Sequence, residues 1–229
     1  MLTRRLLLYN CLFTSIYFSS ILIILKYNDI LYNVDTYKFI PTFIILSCEL
    51  IKFTFSKFYN RRYSFDRIDS KVSNSKYKKI WPKVFKDTIK FIIIIVMLFI
   101  VYYSAIVLFG APLTTHQEET TMLAVILSEL TFIPSSIQLG IDDALTLLTG
   151  FPLPSNNIIA EAMDRNIKST VLGTWLGAIV IPLDWDRPWQ EWPIPCAIGA
   201  LVGYIVANFI CFIKLLPIYK FWRSKKLDR

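Results

Sequence analysis

The sequence predicts an all-α membrane protein that crosses the bilayer about six times, with both termini in the cytosol. Three observations carry this. The chain of 229 residues is 55% hydrophobic, more than a soluble domain of this length needs for its core. Its apolar residues gather in stretches near the ~20 residues that a helix needs to cross a ~30 Å hydrocarbon core. Runs such as Phe91 to Leu98 lack the period-two alternation of a barrel strand, and backbone groups in lipid must bond within their own segment, so helices follow.

Spans are expected at about 6–25, 39–58, 88–109, 119–139, 169–183 and 194–216. The first follows Arg4 and Arg5 and reads as an uncleaved signal anchor, because Tyr17 to Ser20 offers no small-x-small cleavage site. The second contains Glu49 and Lys52, three apart on one helix face and able to pair directly. The third is apolar filler, as in Ile92 to Ile95. The fourth holds Glu129 in mid-span with no partner in its own helix, a candidate for a polar contact to another span or to a partner subunit. The fifth, from Thr170 to Leu183, is only ~14 residues or ~21 Å long. It must take length from upstream, tilt its neighbours or thin the bilayer. The stretch 140–168 before it, with Pro152 and Pro154, has room for a re-entrant or interfacial helix. The sixth span is the second arm of a tight hairpin with the fifth.

Charge sets the orientation. Of the 25 Lys and Arg, 21 fall in the N-terminus, the 57–90 segment, the 140–168 loop and the tail. Only 3 (Lys26, Lys38 and Arg187) fall in the other loops, and Lys52 lies inside a span. The positive-inside rule therefore places both termini in the cytosol. The net charge of +8 thus reports topology and gives no nucleic-acid site. The basic loop, about 59–90, also suits anionic lipid headgroups. Cys11, Cys48, Cys196 and Cys211 all lie in or beside spans and read as small apolar fillers.

The chain changes character at Gly110. All 7 glycines lie between Gly110 and Gly203. This divides it into residues 1–109, three spans with the basic cytosolic loop, and 110–229, three spans whose residues are chosen for shape. Gly173 and Gly177 in the fifth span, and Gly199 and Gly203 in the sixth, put small residues four apart on one face of each helix. Such faces let backbones approach closely where lipid supplies no hydrophobic drive. The connection between them holds Asp184, Trp185, Asp186, Arg187, Pro188, Trp189, Gln190 and Trp192. Interfacial anchoring suffices for the tryptophans. It leaves unexplained the rigid mixture of acid, base and proline, in which Arg187 can pair with a carboxylate or stack on an indole. The turn at Gly110 and Pro112 is expected on the same lumenal side, with lone His116 as a polar loop residue.

The turn Phe109-Gly-Ala-Pro-Leu113, the stretch Leu127-Ser-Glu-Leu130 before Pro134, Gly173-Thr-Trp-Leu-Gly-Ala178 and Pro182-Leu-Asp-Trp-Asp-Arg-Pro-Trp-Gln190 resemble the Pig-F family, from about Ala105 to Gly203. That resemblance implies a protein of the endoplasmic reticulum membrane in glycosylphosphatidylinositol (GPI) anchor synthesis. It implies a non-catalytic subunit, without a cofactor, that stabilises large multi-span ethanolamine-phosphate transferases. Those enzymes carry phosphoethanolamine from phosphatidylethanolamine to mannoses of the GPI precursor, with lumenal catalytic domains. Partners would be these transferases and membrane lipids, with no nucleic acid. Two other readings stand beside it. One is a lipid-modifying enzyme using Asp184 and Asp186, a pair that could bind Mg²⁺ but has only Glu191 close by in sequence, where such sites usually need further oxygen ligands or substrate phosphates. The other is a small transporter or scramblase using Glu129 and the Glu49–Lys52 pair.

Overall fold

The computed structural model describes residues 2–27, 40–65, 80–111, 115–151, 157–183, 185 and 187–216. Seven α-helices occur among them: α1 Leu2–Tyr27, α2 Ile40–Phe65, α3 Ile80–Leu108, α4 Gln117–Leu139, α5 Ile141–Leu148, α6 Ile158–Ala178 and α7 Ile194–Leu215. There is no strand among the described residues. Four helices hold stretches apolar and long enough to cross a membrane, Arg4–Tyr27, Phe85–Leu108, Gln117–Leu139 and Ile194–Leu215. α2 and α6 are long enough as well, but each carries a charged end.

Those charged ends explain where the helices depart from the expected spans. α2 runs on to Phe65 and α3 starts at Ile80, so much of the expected basic loop is helical. α6 starts at Ile158 and stops at Ala178, where the expected span covered 169–183. Upstream, Asn157 caps the helix by accepting from the backbone N–H groups of Ile159 and Ala160. The four charges that follow pair within the helix, Arg165 with Glu161 at 2.6 Å and Lys168 with Asp164 at 2.7 Å. Downstream, residues 179–183 are turn, with Pro182 unable to continue the helix. The 140–168 stretch does hold a short helix, α5, which buries Ala144 and Leu147 and exposes Asp142 and Asp143.

α4 is the centre of the bundle and packs against α2, α3, α5, α6 and α7. Its buried hydroxyls are satisfied along its own backbone: Ser128 donates to Ala124 O, Thr131 to Leu127 O and Ser135 to Thr131 O. α1 lies on α7, where Phe18 meets the Tyr204 ring edge-on at 5.6 Å. α3 is the least covered of the apolar spans and is tied to α4 by the Tyr102 hydroxyl, which donates to Thr131 at 3.1 Å.

The two ends of the bundle differ in chemistry. At one end Arg4 donates to Leu215 O, Lys214 reaches Glu161 at 3.5 Å, and Lys90 pairs with Asp142. This basic end gathers the start of α1, the end of α7, the start of α6, α5 and the α3 segment near Lys90. At the opposite, tryptophan end, the α6–α7 connection sits beside the start of α4.

Candidate functional site

The glycines of α6 and α7 meet face to face. A Cβ on Gly173 would overlap the Gly199 carbonyl oxygen and lie 3.1 Å from Gly203 Cα. A Cβ on Gly199 would overlap the Gly173 carbonyl oxygen in return. Gly177 faces the Pro195 carbonyl, and Gly203 faces the Ser169 carbonyl. The pairs step four residues along each helix in opposite directions, which fixes one antiparallel register. Carbonyls aimed at glycine Cα atoms across a helix interface are the setting of weak Cα–H···O contacts. All four glycines picked from the sequence are therefore brought together, and backbone rather than side chain forms the contact.

This hairpin ends in a turn folded around one side chain. Gln190 is 8% exposed. Its Nε2 donates to Val180 O at 2.9 Å and to Leu183 O, and its Oε1 accepts from the Arg187 N–H at 3.2 Å. A single amide thus closes the loop from the end of α6 to the 3-10 turn Pro188–Gln190. Trp192 ties the turn to the bundle, its Nε1–H donating to Thr120 of α4 at 3.2 Å. The Trp192–Pro193 peptide is cis. Trp185 and Trp189 lie against each other with ring centroids 5.8 Å apart. Trp185 and Arg187 are exposed. Among the described residues the Arg187 guanidinium pairs with no carboxylate and covers no ring. Asp184, Asp186 and Pro112 lie outside the described residues.

Gly110 ends α3 with φ +106°, a conformation open to glycine at little cost. Its N–H bonds Val107 O and that of Ala111 bonds Ile106 O, the Schellman pattern. His116 precedes α4 in a left-handed conformation, with Nδ1 3.6 Å from Glu119.

Inside the bundle, Lys52 Nζ lies 2.5 Å from Glu49 Oε1, both nearly fully buried. Their third member comes from another helix and has no signal in the spacing of the pair. The Tyr204 hydroxyl of α7 donates to Glu49 at 3.2 Å and accepts from Lys52 at 3.4 Å. Glu129 is 6% exposed, and its Oε2 has no hydrogen-bond partner among the described residues. Asn166 Oδ1 on α6 is likewise unmatched and escaped the sequence reading. All four cysteines are buried and free. Among the described residues no three His, Cys, Asp or Glu side chains gather as a metal site.

The fold and this turn define a polytopic helical membrane protein with a glycine-locked hairpin and an aromatic cap. The description "GPI biosynthesis protein family Pig-F" matches residues 6–212, and the chain belongs to that family. A human protein named "GPI ethanolamine phosphate transferase, stabilizing subunit" is 37% identical over 123 residues, 52% of each chain. "Glycosylphosphatidylinositol anchor biosynthesis protein 11" of Debaryomyces hansenii is 40% identical over 105 residues, 45% of this chain and 44% of that one. A Schizosaccharomyces pombe "PIGF/3-ketodihydrosphingosine reductase fusion protein" is 40% identical over 104 residues, 44% of this chain and 20% of that one. The match thus spans about half the length of the first two relatives. No solved structure matches the chain.

Proposed function

We propose that this chain is a non-catalytic subunit that stabilises GPI ethanolamine-phosphate transferases in the endoplasmic reticulum membrane. Family membership over residues 6–212, with relatives named as stabilising subunit and anchor biosynthesis protein, carries the reading. The proposed topology has six spans, α1, α2, α3, α4, α6 and α7, with both termini in the cytosol. Its support is the basic end, where Arg4, Lys90 and Lys214 cluster as the positive-inside rule requires. The tryptophan end then faces the lumen. Gly110, Trp185 and Arg187 belong to the surface offered to the transferase, and Gln190 and Trp192 hold its turn in shape. Gly173, Gly177, Gly199 and Gly203 hold that surface in place, and Glu129 serves the interior.

The test is genetic complementation of cells depleted of this chain. Arg187→Ala should leave the level of the chain itself unchanged yet lower transferase abundance, with precursors lacking phosphoethanolamine accumulating. Gly177→Leu should lower both proteins. Normal transferase and normal glycolipids with both variants would overturn the assignment.

A further inference from the structure

At the tryptophan end the bundle is incompletely filled. A shallow, half-open apolar groove runs between α1, α2, α4 and α7. Its walls begin at Leu25, Ile40 and Ile194 near the helix ends and reach Phe18, Ile45 and Leu201 further in. From Ile194 to Leu201 it is ~10 Å long, about a third of the hydrocarbon core. One turn deeper every wall is closed by buried side chains, Thr14, Cys48, Leu130 and Tyr204. On the α1–α2 side, the Tyr17 hydroxyl ties the two helices through Ile44 O and Ser47 at 3.3 and 2.7 Å.

A blind slot of this length excludes a transmembrane helix, which needs a continuous track and ~10 Å of width. Leaving it empty forfeits dispersion contacts on every wall, and no polar side chain lines it to hold water. Lys26, which follows wall residue Leu25 in the last turn of α1, is exposed and has no ion pair among the described residues. It is one of the few cations that lie against the overall charge bias. We propose that this groove seats one acyl chain of a phospholipid from the adjacent leaflet, with the headgroup phosphate held by Lys26.

The experiment uses the full chain in phosphatidylcholine vesicles doped with a phosphatidylcholine carrying a diazirine in one acyl chain. Photo-adducts are mapped by mass spectrometry. They should concentrate on Met122, Ala197 and Ile198, above the level on the outward Ile93 and Met97 of α3. Ala197→Trp fills the groove and should lower the groove adducts about tenfold, leaving those on α3 unchanged. Ile198→Phe replaces it if the first variant fails to fold. A diazirine diacylglycerol, which lacks the phosphate, should label the groove about fivefold less, and Lys26→Ala should erase that difference. Uniform labelling of groove and α3, or groove labelling that survives both filling variants, overturns the proposal. So does loss of groove adducts when a transferase subunit is co-purified, which would show a protein segment in the slot.

Discussion

One methyl group at Gly199 tests the hairpin. The added Cβ would overlap the Gly173 carbonyl oxygen and sit 3.3 Å from Gly177 Cα. Both obstacles are backbone, so no side-chain rotation relieves them and the helices must separate. Overpacking of this kind costs about 1–3 kcal/mol, while alanine returns up to ~1 kcal/mol of helix propensity. The net loss is about 1–2 kcal/mol, or roughly tenfold in the folded ratio. For a chain of this size that lowers Tm by roughly 2–8 °C. Thermal unfolding in detergent micelles, followed by tryptophan fluorescence, reads the shift directly. Val202→Ala, on the exposed face of the same helix, is the control and should shift little. Gly173→Ala should cost as much as Gly199→Ala, but the pair should cost less than the sum, because one separation relieves both clashes. A Tm for Gly199→Ala equal to or above that of the parent would refute this register. So would strict additivity of the two changes.

Two further perturbations probe the polar anchors. Gln190→Ala removes two donors and one acceptor that close the turn, at about 1 kcal/mol each; hydrogen exchange at the Arg187 amide should accelerate by more than tenfold, and unchanged exchange would show that the turn holds without the side chain. Lys52→Met leaves Glu49 charged and buried, at a cost of about 3–5 kcal/mol, whereas Glu49→Met with Lys52→Met should regain most of it. Thermal unfolding of the single and double variants decides this, and a single variant as stable as the double would contradict an ionised pair.

Hydropathy and charge made the apolar spans legible because lipid demands the same thing of every crossing segment. Helix ends were less legible for a local reason. Glu161, Asp164, Arg165 and Lys168 look like loop to a hydropathy window, yet they neutralise one another at helical spacing and prolong α6. The Glu49–Lys52 pair could be read because both partners lie on one helix. Tyr204 could not, since its place beside Lys52, 152 positions away, depends on how α2 and α7 come together. The same holds for Trp192 and Thr120, 72 apart. The glycine spacing announced two close-packing faces, but that Gly173 sits opposite Gly199 follows from the length and folding of the turn between them.

That turn links folding to the proposed role. A subunit that stabilises a partner must offer a surface that loses little freedom on binding, because each ordered side chain subtracts about 0.5–1.5 kcal/mol from affinity. Here the ordering is done before any partner arrives. Gln190 spends its hydrogen bonds inward, on Val180, Leu183 and Arg187, and Trp192 spends its N–H on Thr120. The backbone-to-backbone register of α6 and α7 holds both legs of the loop. What remains outward is Trp185 and Arg187, residue types enriched where protein interfaces gain most of their energy. Loosening the glycine register should therefore weaken partner support even when every outward residue is intact, and Arg187→Ala should weaken it with the register intact. The two variants reach one loss by separate routes, distinguishable by whether the Tm of the chain falls with it.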